Sequence, residues 1–297
     1  MQFDIVFCSL YLSNPGLVRA WIKYHHSIGV NHFYLFTLGK ELDYMIKPLE
    51  DLSDIVTIIN WDIDIGPGGI FGYWAESCMT YYMGMIGVGE FEWVGNICPD
   101  EFLVLEKDNT VRNFLDRYKD KKYIKLKWNY VKMEGMTYDE YLNFDLNNFF
   151  KYDIKIQKYL RRENGEELDN PMSSGYGKYL FKPQYEINVG SVHNPIENPL
   201  YRYGTVEEGE YDLVDEKIGS LYHFRYDRVN TKLPGGFGQP YDASGNLPDL
   251  NDSGMKRKVN WDTALEKGYQ YGPEKFSTGE LIIHNRIREL IEENKND

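Results

Sequence analysis

The alternation of short apolar runs with helix-like segments in the first hundred residues constrains the fold most. Apolar and β-branched stretches over residues 3–8, 32–36, 54–60 and 92–98 predict strands. Residues 17–28 carry apolar side chains at helical spacing, with Pro15 near the first turn and Gly29 at the C-terminal end. Residues 41–52 and 73–85 predict two more helices. The pattern predicts an α/β fold with a mostly parallel sheet flanked by helices.

The second half of the chain is less regular. A helix is predicted over 111–118, partial helix over 138–162, and strands over 123–131, 179–193 and 218–224. Residues 234–254 are dense in Gly, Pro, Asp and Asn, which is typical of a long loop. A C-terminal helix is predicted over 277–294, with Ser277 and Glu280 as a capping box.

Charge and cysteine content exclude some classes of protein. The net charge of −13 argues against a nucleic-acid-binding protein, which needs an excess of Lys and Arg. The three cysteines form no Cys-x-x-Cys pair, so we expect reduced thiols and a cytoplasmic location. We also expect no signal peptide and no transmembrane segment, because no sufficiently long apolar run occurs.

Adjacent carboxylates at the end of the fourth predicted strand are the strongest local signal. Asp100 and Glu101 follow an apolar run directly and precede another one. Ligands bind beyond the carboxyl ends of strands in such sheets, and Mg²⁺ and Mn²⁺ prefer carboxylate oxygens. A divalent metal site and a simple turn with two exposed acids are about equally compatible with this motif.

Further candidates lie elsewhere in the chain. His223 ends an apolar run and could join Asp100 on a metal, although a lone histidine is more often a hydrogen-bonded core residue. Arg225 and Lys232 could contact a diphosphate. Asp62 and Asp64 form an Asp-x-Asp after the third strand, which could contact a metal or a nucleotide, although acids leaving a strand are common. Neither a Gly-x-Ser-x-Gly elbow nor a His-Glu-x-x-His zinc motif occurs.

Several blocks in the same order resemble glycosyltransferase family 92 and its family 2 relatives. The stretch 19–36, RAWIKYHHSIGVNHFYLF, resembles the family's early Trp-x-x-Tyr-His block, and 93–103, WVGNICPDEFL, looks like its metal-site signature. Residues 177–178 through 192–195, then 221–224 followed by Lys232, are similar to the later blocks. The resemblance spans roughly residues 3–233.

The resemblance implies a GT-A fold, a UDP-sugar donor, Mn²⁺ or Mg²⁺, and inverting transfer by a hexosyl- or pentosyltransferase to a glycan acceptor. Asp100, Glu101 and His223 would form the metal site. We accordingly predict a catalytic domain over 1–233, with a nucleotide-binding half (1–130) and an acceptor-side half (131–233), and a loop and helix over 234–297 packed on it. The expected donor-binding residues are Asn14, Thr37, Asp62, Asp64, Lys178, Arg225 and Lys232.

The chain departs from the family pattern at three places. Cys98 stands where the family has the first acid of an Asp-x-Asp, residues 13–15 replace Lys-Asn-Glu, and residues 36–38 replace Tyr-Asp-Asn. Acidic donor contacts are therefore absent or replaced, and a metal-independent site is an open alternative. The resemblance also leaves open a non-catalytic carbohydrate-binding or scaffold protein, and a nucleotidyltransferase or sugar-nucleotide hydrolase.

The general base is expected across the sugar from the diphosphate, within hydrogen-bond reach of the acceptor hydroxyl. Glu134 follows a predicted strand in about the right region, and Asp139 is a weaker candidate, as is Glu140. For each one taken singly, a solvated loop acid is the more common role.

Overall fold

The computed structural model of the protein describes residues 3–11, 14–37, 46–61, 71–133, 135–158, 177–183, 188–191, 194–196, 211–224 and 282–295. The helices are α1 Pro15–Ser27, α2 Phe71–Ile86, α3 Val111–Asp116, α4 Tyr138–Leu142, α5 Asn148–Lys151 and α6 Arg286–Glu293, with a 3₁₀ helix at Lys47–Leu52. The strands are β1 Phe3–Leu10, β2 His32–Thr37, β3 Val56–Asn60, β4 Phe91–Asn96, β5 Glu101–Leu105, β6 Tyr123–Leu126, β7 Trp128–Met133, β8 Ile154–Lys158, β9 Lys178–Phe181, β10 Asn188–Ser191, β11 Asn194–Ile196, β12 Tyr211–Leu213, β13 Gly219–His223 and β14 Ile282–Ile283.

A large sheet forms the centre of the described structure. Its seven described strands run in the order β12-β6-β9-β4-β1-β2-β3. The neighbours β4, β1, β2 and β3 are parallel, as predicted, whereas β9 is antiparallel to both β4 and β6. Along β1 the side chains alternate between two apolar clusters: Ile5 and Phe7 lie in one, Val6 and Cys8 in the other. The sheet is therefore buried on both faces, and the predicted α/β architecture is confirmed.

A second sheet carries the segments that follow β4. Its five described strands run in the order β14-β8-β7-β13-β5. The chain leaves the large sheet at the end of β4 and enters the second sheet as β5, so the turn between these strands joins the two sheets. In the second sheet β13 is antiparallel to β5 and parallel to β7. That arrangement brings the end of β13 back to the start of β5.

The predicted ends of α1 are confirmed. Asn14 has a positive φ of 55° and its side-chain oxygen accepts the Leu17 N–H at 3.1 Å, which caps the first turn. Pro15 occupies the first turn, where its missing N–H costs nothing. Gly29 follows the helix with a φ of 101°, a conformation that favours glycine.

Three side chains of α1 satisfy the backbone of β5, the edge strand of the second sheet in the described part of the chain. The Trp21 Nε1–H donates to the Glu101 carbonyl and the Tyr24 hydroxyl to the Leu103 carbonyl, each at 2.8 Å. The His25 Nε2 accepts the Leu103 N–H at 3.0 Å. All three side chains are fully buried. An edge that would otherwise expose backbone groups is thus covered by polar side chains.

Some sequence-based expectations were wrong in detail. The single strand predicted over 123–131 is two strands, because Lys127 separates β6 of the large sheet from β7 of the second sheet. The partial helix predicted over 138–162 is confirmed by two short helices, α4 and α5, although the strand β8 that follows them was not expected. The C-terminal helix begins only at Arg286, and a two-residue strand precedes it.

Other expectations fall on residues beyond the described part. The Ser277–Glu280 capping box and the 234–254 loop lie outside it, and the domain boundary at residue 233 stays a prediction. All three cysteines are free thiols. Among the described helices, none combines the length and the apolar character that crossing a membrane requires.

Tyr24→Phe tests the cover that α1 gives to β5. Removing the hydroxyl leaves the buried Leu103 carbonyl without its donor, so we expect the free energy of unfolding to fall by about 1–3 kcal/mol. Urea denaturation measures this change. Tyr81→Phe is the matched control, because Tyr81 is exposed on α2. Equal stability of the two variants would contradict a structural role for the Tyr24 hydroxyl.

His25 should make the stability of the protein depend on pH. Burial lowers the pKa of His25 from about 6.5 to about 3 in the folded state. Between these values the unfolded chain binds a proton that the folded chain does not, so stability falls as pH drops below about 6.5. The slope from this group approaches about 1.4 kcal/mol per pH unit.

Urea denaturation at pH 6.5, 5.5 and 4.5 measures this dependence. His25→Gln should lower stability at neutral pH and flatten the loss toward acid pH. The exposed His26 on the same helix provides the control variant, His26→Gln. An unchanged pH slope in His25→Gln would contradict the assignment.

Candidate active site

The turn between β4 and β5 is closed by its own residues. The Glu101 N–H donates to the Cys98 carbonyl at 2.9 Å, and the Cys98 N–H donates to the Glu101 Oε2 at 2.8 Å. The Glu101 side chain therefore turns back over residues 98–101 and is buried. The turn leaves Asp100 as the carboxylate that faces outward, with 29% of its side chain exposed.

Asp100 and His223 are brought together by strand pairing. His223 lies opposite Glu101 in the β13–β5 register, and the Phe224 N–H donates to the Asp100 carbonyl at 2.7 Å. The His223 Nε2 lies 3.2 Å from the Asp100 Oδ2. The proximity that the sequence suggested for these two residues is thus present, across 123 positions of the chain.

The donor set fits a divalent cation. Ligand atoms of Cys98, Asp100 and Glu101 all lie within 4.8 Å of one another. Two ligands at about 2.1 Å from one octahedral ion are about 3 Å apart. The Asp100–His223 separation matches that value, and Asp100 is accessible. Asp100 and His223 could hold Mn²⁺ or Mg²⁺ directly. The Glu101 carboxylate belongs to the same cluster but is buried and accepts the Cys98 N–H, so its role as a metal ligand stays a prediction.

A buried ion pair lies behind the turn. Lys178 of β9 lies with its Nζ 3.0 Å from the Glu76 Oε2 of α2, and its side chain is 2% exposed. The Cys98 thiol donates to the Glu76 Oε1 at 3.3 Å. Burial raises the pKa of Glu101 to about 8, and the neighbouring Lys178 opposes this rise only in part. The Lys178 ammonium is paired directly with Glu76.

Other predicted site residues lie on neighbouring elements. The Asn14 Nδ2 donates to the Tyr141 carbonyl at 3.2 Å, and the Tyr141 hydroxyl contacts the Phe224 carbonyl at 3.4 Å, beside His223. Asp139 is exposed in the first turn of α4, the same helix as Tyr141. Thr37 ends β2, is buried and donates to the Asn60 Oδ1 at 3.1 Å. Lys178 occupies the interior position described above, and its role in donor binding stays a prediction.

Five predicted residues lie outside the described part of the chain: Asp62, Asp64, Glu134, Arg225 and Lys232. One residue of the cluster, Glu76, was missed by the sequence-based search. A signal for it exists, because Glu76 is the lone charged residue among the sixteen of α2. A single carboxylate in an otherwise uncharged helix needs a partner if that face is buried.

Comparison with known protein families assigns the chain to one of them. A model of glycosyltransferase family 92 matches residues 4–267, nearly the whole chain. The chain belongs to glycosyltransferase family 92. The resemblance inferred from the blocks around Trp21, Asp100 and His223 is confirmed, and the protein is a glycosyltransferase by family.

Two of the solved structures that match this family 92 chain resemble it distantly. One is 4-diphosphocytidyl-2C-methyl-D-erythritol synthase from Anaerococcus prevotii, with 6% identity, a TM-score of 0.31, and 61% and 70% of the two chains covered. Another is HddC from Yersinia pseudotuberculosis, with 15% identity, a TM-score of 0.31, and 61% and 77% covered. In a sequence comparison no curated protein matches the chain.

Proposed function

We propose that this family 92 glycosyltransferase moves a sugar from a nucleotide-diphosphate sugar, with a UDP-sugar favoured, to a hydroxyl of a glycan with inversion. The observation that carries the proposal is the Asp100–His223 pair beyond the carboxyl end of β4, in which the two side chains are 3.2 Å apart, Asp100 is 29% exposed and His223 is buried. Ligands in parallel α/β sheets bind at that edge. The transferred group is a hexose or a pentose.

Asp100 and His223 would hold Mn²⁺ or Mg²⁺ with one carboxylate oxygen and one imidazole nitrogen. A cation held there would supply the positive charge that neutralises the leaving diphosphate. The protein fixes both ligands in advance: backbone pairing of β13 with β5 orients His223, and the closed turn orients Asp100. Such fixed groups need no rearrangement during the reaction.

The reaction forms a bond between the acceptor oxygen and the anomeric carbon and breaks the bond from that carbon to the diphosphate oxygen. A carboxylate takes the proton of the acceptor hydroxyl. Asp139 and Glu134 are our candidates for this base. Asp139 is supported by its exposed position on α4, whose Tyr141 contacts Phe224 next to His223.

The donor would be bound by residues around the carboxyl ends of the first strands and by basic residues near His223. Asn14 and Thr37 follow this pattern, because Asn14 begins α1 just after β1 and Thr37 ends β2. We propose direct donor contacts for Asn14, Thr37, Asp62, Asp64, Arg225 and Lys232. Lys178, which the sequence also suggested for donor binding, is 2% exposed and paired with Glu76, so it would act only indirectly.

Calorimetry with a panel of nucleoside diphosphates, with and without Mn²⁺, tests the proposal. We expect the wild-type protein to bind one nucleotide, UDP, in a Mn²⁺-dependent manner. Asp100→Asn keeps the shape of the side chain but removes its charge, so Mn²⁺-dependent affinity should fall at least about tenfold. Asp51→Asn is the control, because Asp51 is exposed and pairs with Arg19 away from the site.

Each other outcome favours a different function. Binding of no nucleotide under either condition would contradict the donor site and favour a non-catalytic carbohydrate-binding or scaffold protein. Binding that is equal with and without Mn²⁺ would favour a metal-independent transferase. Release of sugar from the bound donor without any acceptor would favour a sugar-nucleotide hydrolase.

A further inference from the structure

The polar cluster behind the Asp100 turn links three elements that are distant in sequence. Glu76 lies on α2, Lys178 on β9 and Cys98 in the β4–β5 turn. One oxygen of Glu76 contacts the Lys178 Nζ at 3.0 Å, and the other accepts the Cys98 thiol proton at 3.3 Å. Each carboxylate oxygen of Glu76 therefore has a separate partner, which fixes the plane of the carboxylate.

Lys178 is the buried member of the cluster, and Glu76 and Cys98 are partly buried. The Lys178 side chain is 2% exposed and the Glu76 side chain 14%. A buried ammonium and a buried carboxylate persist only when they are paired, so each group holds the other in place. The Lys178 backbone is itself fixed by the pairing of β9 with β6. Lys178 of the large sheet thus fixes the position of the Glu76 carboxylate, and Glu76 in turn contacts the Cys98 thiol.

A second contact, one helical turn along α2, reaches the same strand. The Thr80 hydroxyl donates to the Glu76 carbonyl at 2.8 Å, and the Asn96 Nδ2 donates to Thr80 Oγ1 at 2.9 Å. Asn96 is the last residue of β4. Helix α2 therefore contacts the end of β4 through Thr80 and the following turn through Glu76, because residues four apart share a helix face.

We propose that Glu76 and Lys178 are positioning residues that hold the 98–101 turn, and with it the Asp100 carboxylate, in the geometry that binds a divalent cation. The proposal rests on the proposed function of the Asp100–His223 pair. Neither residue touches the cation or the sugar. They act through Cys98, whose thiol contacts Glu76 and whose N–H is bound by Glu101.

The double variant Glu76→Leu/Lys178→Met separates positioning from stability. It removes both charges together, so no uncompensated buried charge remains and the fold should be retained. It also removes the contact to Cys98. Glu92→Gln is the matched control: the Glu92 carboxylate pairs with Arg112 near the other end of β4. Two quantities are measured, the Kd of Mn²⁺ and the amide hydrogen exchange of residue 98.

The proposal predicts that the double variant melts within a few degrees of wild type but binds Mn²⁺ about 10–100-fold more weakly. The amide of residue 98 should exchange faster, on the order of tenfold, while those of β5 beyond the turn keep their rates. Wild-type values for both quantities would overturn the proposal. Faster exchange with unchanged Mn²⁺ affinity would overturn it too, because the cluster would then be structural only.

Two further results remain decisive. If the wild-type protein binds no Mn²⁺, the metal part of the proposed function fails, and the exchange rate of residue 98 alone decides whether the cluster holds the turn. If the double variant does not fold, Cys98→Ala is measured instead, because it removes the thiol contact and leaves the ion pair intact. Wild-type exchange and Mn²⁺ affinity in Cys98→Ala would overturn the proposal.

Discussion

The cover that α1 places over the edge of β5 is the interaction on which the rest of the structure depends. At the end of β4 the chain leaves one sheet and starts another, and the first strand of the new sheet has unpaired backbone groups on one side. Trp21, Tyr24 and His25 satisfy three of these groups with hydrogen bonds of 2.8–3.0 Å. Because these side chains are buried, the hydrogen bonds cannot be exchanged for water without a large cost. The start of β5 is thereby fixed, and with it the turn that carries Asp100.

Backbone pairing with β5 then brings a second side chain to the turn that carries Asp100. The antiparallel pairing of β13 with β5 places His223 beside Asp100, although 123 positions separate them. From the other side, the large sheet contributes Lys178, and α2 contributes the Glu76 carboxylate that pairs with it. The turn is thus held between two sheets and two helices. A turn supported from so many directions is rigid, and such fixed geometry would suit the metal binding and leaving-group stabilisation that we propose.

Much of the first half could be predicted from the sequence, because local patterns determine it. The apolar runs give β1 to β4, and Pro15 and Gly29 mark the ends of α1. Asp100 was identifiable because two acids directly follow a buried strand. The ends of two apolar runs suggested that His223 could join Asp100, and the ordered blocks of the resemblance favoured this over a core histidine, since no local pattern connects residues so far apart.

Other features could not be predicted because they depend on tertiary contacts. The run over 123–131 is continuously β-like, and nothing local shows that Lys127 divides it between two sheets. Lys178 was expected among the donor-binding residues, and only its contact with Glu76 of α2 in the structure shows that it is buried in an ion pair. The burial of Glu101 likewise follows from the closure of the turn, whereas its neighbour Asp100, with the same chemistry, stays accessible.

The central claim is that Asp100 and His223 together hold the cation of the donor site. Crystals grown with Mn²⁺ and UDP, with diffraction data collected at the manganese absorption edge, test it directly. The account predicts one anomalous peak about 2.0–2.3 Å from both an Asp100 carboxylate oxygen and the His223 Nε2, next to the diphosphate. A bound nucleotide with manganese elsewhere, or with the Asp100–His223 contact intact and no manganese, would contradict it.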